Sequence, residues 1–331
     1  KSNVMDDNAD SFLDNPLITR YVLYNKWNLS DKENQTEFNI AGRYWNEKRD
    51  GGQTNDPSHT STHNTGHQLY EQNVKINSVE GYSRMSKQFT ETSGVKMYLT
   101  SSYYDQISQY GNTGYDAKQT SFSAMGFYEF EILPRSYLKT GLSYKYQKID
   151  ELIKFNDTTS KTYAGNYIKT EAIPGVFAEN SISFLEDKAS LMTGIRFDNH
   201  NEHGLVVTPR ALFRYQPVKT IVFRASIGTG FRTLNLFSEY SNLLASSRNV
   251  VVSGTLSPEK TLNYGADVLF YFGGADYSGS VNVDFYRTEF SNKIIPDYDS
   301  NPREVIFANL NGKAFSNVMQ AELSLTLLRN V

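Results

Sequence analysis

His59, His63 and His67 stand four residues apart in a stretch otherwise made of Thr60, Ser61, Thr62, Asn64, Thr65 and Gly66. Imidazoles so grouped are natural ligands for copper, nickel or zinc. The residues between them are poor helix formers, so a loop rather than a helix face must gather the three rings around an ion. A second, oxygen-rich segment holds Asp6, Asn8, Asp10 and Asp14 at the opening offsets of a calcium loop. The match then lapses, because Ser11 stands where the sharp turn needs glycine and Leu17 where a bidentate glutamate is needed. Calcium or a transition metal held in loops is the cofactor chemistry these residues suggest.

Recognition is the other chemistry on offer. Tyr103 and Tyr104, followed by Gln106, Tyr110, Asn112 and Tyr115, present rings, hydroxyls and amides. Tyrosine combines contact area with a hydrogen-bonding hydroxyl, which suits a ligand held at an open mouth. Arg232 closes the run Gly228, Thr229, Gly230, Phe231 and joins Tyr103, Tyr104 and Tyr110 as a ligand-binding candidate. The two glycines are expected to let a strand bend at a rim. Catalysis finds no matching nucleophile, base and orienting group; Asp198 with His200 or His203 is the one local pairing, so an enzyme is not expected.

Composition narrows the classes further. The chain has no cysteine, which removes disulfides and thiolate sites. A net charge of -3 supplies no basic field, so nucleic acid is not an expected partner. Hydrophobic residues make up 39% and are dispersed, so no stretch approaches the roughly 20 apolar residues that a membrane helix requires.

The elements that must position these residues are strands. Leu191, Thr193, Ile195 and Phe197 alternate with Ser190, Met192, Gly194, Arg196 and Asp198. Met319, Ala321, Leu323, Leu325 and Leu327 alternate likewise with Gln320, Glu322, Ser324 and Thr326. A period of two sustained over such lengths predicts half-buried strands. Short connections at 30–34, 133–135, 185–187, 216–219 and 272–276 fall between long ones at 46–66, 151–170, 228–257 and 291–304. Tight turns on one rim and extended loops on the other are what a closed outer-membrane barrel shows. Aromatics reach 14%, mostly Tyr and Phe, and gather as Tyr44 with Trp45, Tyr103 with Tyr104, and Tyr144 with Tyr146, as interfacial girdles do. The fold class is therefore all-β, a transmembrane antiparallel β-barrel of about fourteen strands. The alternative is a tyrosine-rich soluble sheet.

Specific segments sharpen this. Thr208, Pro209 and Arg210 precede Arg224-Ala225-Ser226-Ile227-Gly228-Thr229-Gly230-Phe231-Arg232, and Leu256-Ser257-Pro258-Glu259-Lys260 follows with Asn263 and Gly265. In order and spacing the stretch resembles the barrel of TonB-dependent outer-membrane receptors. Asp14-Asn15-Pro16-Leu17, Arg43-Tyr44-Trp45, Arg49-Asp50-Gly51-Gly52-Gln53, and Asn301-Pro302-Arg303-Glu304 through Asn309-Leu310 extend the likeness, in the form found in Bacteroidota. Gly230-Phe231-Arg232 is similar to the metal-chelate and cobalamin receptors rather than the large glycan importers.

The resemblance implies a barrel of about 22 strands with a plug folded inside. Residues 1–331 are then expected to be a single partial barrel domain with its long loops outside the cell, the plug domain not being present in this chain. It further implies a bacterial outer-membrane receptor that imports a siderophore, another metal chelate or a cobalamin-like ligand. Its partners would be the TonB complex, reached through the plug, a surface lipoprotein, and outer-membrane lipid and lipopolysaccharide. A passive porin, a scaffold barrel in a larger complex, and a glycan or peptide importer are the alternatives.

Overall fold

The computed structural model describes residues 5–8, 10–53, 69–156, 161–274 and 276–327. Ten strands follow one another first: β1 (Leu17–Asp31), β2 (Thr36–Gly52), β3 (Glu71–Thr90), β4 (Ser93–Tyr110), β5 (Thr113–Leu133), β6 (Ser136–Phe155), β7 (Gly165–Phe184), β8 (Ala189–His200), β9 (Gly204–Val218) and β10 (Ile221–Arg232). Then come helix α1 (Leu236–Glu239), a 3-10 turn (Ser241–Ala245), β11 (Asn249–Val252), β12 (Glu259–Gly273), β13 (Tyr277–Ser291), β14 (Ile294–Asp297), β15 (Glu304–Asn309) and β16 (Ala314–Leu327).

Thirteen strands form one sheet in the order β1 to β10, β12, β13, β16, every neighbour antiparallel. Sequential hairpins of this kind are the up-and-down arrangement of a transmembrane barrel. The count is close to the fourteen expected; β11, β15 and β14 instead form a separate three-stranded sheet.

Alternation sorts the side chains as the sequence predicts. Ile195 and Phe197 face outward and are exposed, whereas Asp198 and His200 are buried. On β16, Met319, Leu323 and Leu327 are 75%, 66% and 70% exposed. Apolar side chains exposed in rows on an outward face are what a lipid environment accepts. The same alternation divides the adjacent aromatic pairs. Tyr44 and Tyr103 are exposed on the outward face, and Trp45 and Tyr104 stand on the inward one, whereas Tyr144 and Tyr146, two apart on β6, share a face.

The short turns use local chemistry. Asp31 accepts the Asn34 N–H at 3.1 Å and the Asn34 Nδ2 at 2.7 Å, closing the β1–β2 turn. Arg135 takes a φ of 66° in the β5–β6 turn, where Glu131 Oε1 accepts its N–H at 2.8 Å.

The opposite rim departs from expectation. Strands run into the segments read as loops: Asn46 to Gly52 belong to β2, β6 continues to Phe155, β7 begins at Gly165, and β10 continues to Arg232. The connection expected at 291–304 runs on to 313 and contains β14 and β15. This rim also carries two short turns, between β4 and β5 at 111–112 and between β8 and β9 at 201–203. The reason lies in strand length. Crossing the bilayer takes about 9–11 residues, but β5 has 21. Beyond the apolar belt its outward face carries Asp116 and Lys118, polar residues that resemble a loop in sequence yet stay paired with β4 and β6.

The glycines of β10 correct a second expectation. Gly228 and Gly230 do not bend the strand; they stay in register with Asn263 and Thr261 of β12. A Cβ at Gly228 would stand 3.3 Å from the Cβ of Arg210, and one at Gly230 would stand 3.2 Å from Thr261 Oγ1. Both glycines make room for inward side chains.

Candidate functional site

The inward face of β2 to β6 is the wall of a cavity of about 940 Å³, roofed by Ser241, Asn242 and Ala245 of the 3-10 turn. Tyr104, Tyr110 and Tyr115 stand on this wall with Trp45. Along β4 the Tyr104 hydroxyl donates to Gln106 Oε1 at 2.6 Å, and Gln106 Nε2 donates to Ser108 Oγ at 2.6 Å. Gln119 Nε2 on β5 donates to Ser121 Oγ at 2.9 Å. Tyr115, 2% exposed, donates to Glu151 Oε1 at 2.7 Å. Glu47 is buried between Arg20 and Arg49, both of which donate to it, and the Arg20 guanidinium lies 5.6 Å from the Trp45 ring centre. Trp45 Nε1 is buried and has no hydrogen-bond partner among the described residues.

Above this wall three connections are knitted into one cap. β11 pairs in parallel with β15, joining residues 249–252 to 304–307. The Thr162 N–H donates to Asn249 Oδ1 at 2.8 Å, bringing in the β6–β7 connection. Leu244, Val305 and Phe307 are fully buried and cluster with Tyr110, Tyr115 and Ile153 of the wall. Tyr163 stacks on Phe237 at 5.7 Å, and burial pushes its hydroxyl up to about 12.

Arg232 braces this cap. It donates to Glu259 Oε2 at 2.8 Å and to Glu239 Oε2 at 2.6 Å. Glu259 also takes Lys293 Nζ at 2.9 Å and the Ile294 N–H at 2.9 Å, tying the β10–β12 connection to the one after β13. The guanidinium that the sequence offered for a ligand is thus engaged by two protein carboxylates, while half of its side-chain surface stays exposed.

The remaining candidates are distributed as follows. Tyr104 and Tyr110 reach the cavity, and Tyr103, 43% exposed, faces away from it. His59, His63 and His67 lie outside the described residues. His200 ends β8 fully buried; its Nδ1 accepts the Glu202 N–H at 3.1 Å, and its ring lies 4.7 Å from that of His203. Asp198 pairs with Arg196 Nε at 2.6 Å, not with either histidine. At the start of the chain, Asp6 accepts the N–H groups of Asp10 and Ser11, Asp10 accepts that of Phe12 and the Asn8 amide, and Asp14 accepts that of Asp7. These oxygens cap their own turn. Among the described residues no group of three or more His, Cys, Asp or Glu is placed to hold a metal.

Gln106 and Tyr115 belong to the recognition stretch read from the sequence, whereas Trp45, Arg49, Gln119 and the pairing of Tyr115 with Glu151 are added by the structure. Period two carried from Tyr104 through Gln106 and Ser108 to Tyr110 would have found the β4 members and set Tyr103 aside.

Comparison with known proteins decides the family. The family described as TonB dependent receptor-like, beta-barrel matches residues 5–323. The chain belongs to that family. Receptor barrels of this family lie in the outer membrane of bacteria and serve transport, which accords with the absence of an expected catalytic role. The hemophore receptor HasR of Serratia marcescens, solved with its hemophore and heme, superposes with a TM-score of 0.63 at 10% identity, over 94% of this chain and 52% of that one. The alcaligin outer-membrane receptor FauA of Bordetella pertussis gives 0.60 at 14%, over 94% and 50%. The siderophore receptor PirA of Pseudomonas aeruginosa gives 0.52 at 13%, over 93% and 58%. This receptor barrel thus spans between 50% and 58% of the length of these three structures. No curated protein matches it.

Proposed function

We propose that this barrel belongs to a receptor that captures a metal chelate, whether a siderophore complex, heme or a cobalamin-like molecule, and imports it when TonB acts on a plug. The observation that carries the reading is the cavity of about 940 Å³ lined by Trp45, Tyr104, Tyr110 and Tyr115 under a folded cap. Concave, aromatic-rich sites with a few converging polar groups are where ligands of this size bind. Structural neighbours that bind a siderophore or heme support the same reading.

In this reading the rim bearing the cap faces outside the cell. His59, His63 and His67, which fall in sequence between β2 and β3, add a copper or zinc site in this reading. A surface lipoprotein and lipopolysaccharide would meet the same rim. Calorimetric titration of the full-length protein with ferric siderophores, heme and cobalamin tests the function. Saturable binding of one of them, lost in Tyr104→Ala, is expected. Stable copurification of other subunits without binding any chelate would favour the scaffold, and saturation by an oligosaccharide would favour glycan import.

A further inference from the structure

The charges on the cavity wall are matched except for one cation. Arg49 shares Glu47 with Arg20, which leaves one surplus cation for the pair of arginines. Glu80 takes Arg43 at 2.6 Å. What the wall presents otherwise is neutral: the Tyr104, Gln106, Ser108 ladder and Gln119.

We infer that this cavity selects a chelate that is uncharged or weakly charged at its periphery and offers carbonyl, hydroxamate or hydroxyl oxygens, and that it rejects polyanionic chelates. The inference rests on the metal-chelate reading above and names the ligand class within it. A polyanion entering here loses its water and meets only the one surplus cation shared by Arg20 and Arg49, too little to offset several negative charges. A neutral ferric complex, in which three hydroxamates cancel the charge of the metal, loses little by the same transfer. Its carbonyl oxygens accept the second Nε2–H of Gln106 and of Gln119, and its aliphatic arms lie against the Tyr104, Tyr110 and Tyr115 rings.

Equilibrium binding to the full-length protein in detergent compares two probes, a neutral ferric tris-hydroxamate and a ferric tris-catecholate polyanion. The expected result is at least roughly tenfold tighter binding of the hydroxamate, which corresponds to about 1.4 kcal/mol. The double variant Gln106→Lys with Gln119→Lys is expected to raise the catecholate affinity by roughly tenfold. A catecholate that binds the unaltered protein as tightly as the hydroxamate overturns the inference and leaves chelate import standing. Hydroxamate binding unaffected by Tyr104→Ala also overturns it, because the ligand then sits elsewhere. Failure of both chelates to bind, with saturation by a neutral oligosaccharide, overturns the inference and the chelate reading together.

Discussion

The Tyr115 hydroxyl donates a 2.7 Å hydrogen bond to Oε1 of Glu151, joining β5 to β6 across the buried inner wall. The pair lies where the wall meets the cap, and both side chains are buried. Removing the hydroxyl strands a buried carboxylate oxygen. Tyr115→Phe should therefore destabilise the protein by about 1–3 kcal/mol, seen as a lower thermal midpoint in detergent. An unchanged midpoint would mean that water already serves Glu151.

The two tyrosines beside each other on β4 should behave differently. Tyr104→Ala is expected to weaken ligand binding by at least roughly tenfold, equivalent to about 1.4 kcal/mol, and Tyr103→Ala to leave it unchanged. Equal losses in both would contradict the assignment of opposite faces.

The cap should come apart as one unit. Phe307 is fully buried at the centre of the β11–β15–β14 sheet. Phe307→Ala should cost about 3–5 kcal/mol of local stability. Limited proteolysis followed by mass spectrometry should then show new cleavages in both 233–258 and 292–313. Cleavage confined to the segment containing Phe307 would show that the parallel pairing does not couple them.

Gly175 of β7 is a steric requirement. A Cβ there would collide with Asp198 Oδ1 and come within 2.9 Å of Ser143 Oγ. Gly175→Ala should displace Asp198 from Arg196 and destabilise the barrel by about 1–3 kcal/mol, as overpacked sites do. Refolding yield and thermal midpoint together check this.

The cap should loosen at high pH through Tyr163. Its hydroxyl is raised by burial to about 12 against an ordinary value of 10.0. A group whose folded value is raised contributes stability that is complete below the unfolded value and lost as pH climbs through the folded one. Loss is thus expected across pH 10 to 12. Ultraviolet titration of tyrosinate should show late-ionising rings whose number falls by one in Tyr163→Phe. An unchanged late phase in the variant would assign it elsewhere.

Much of this molecule is written locally. Alternation at Leu191 to Phe197 and at Met319 to Leu327 specifies strands and their lipid-facing sides, because neighbouring residues on a strand must point to opposite faces. Turn chemistry such as Asp31 with Asn34 marks where each hairpin reverses. The segment from Thr208 to Gly265 carries the family. Each of these signals spans a few residues or a fixed motif, so a single chain displays them without its partners in space.

Tertiary structure decided the rest. Asn249 is paired with Glu304, and Arg232 reaches Glu259 and through it Lys293, contacts between connections separated by whole strands. No local pattern encodes such pairings; they form because the barrel brings two strand ends onto one rim, where Leu244, Val305 and Phe307 can leave water together. The same wall and cap set Trp45 and Tyr104 toward a cavity and left Tyr44 and Tyr103 outside. Alternation separates the two members of each pair, and only the curved wall and its cap determine which side becomes a site.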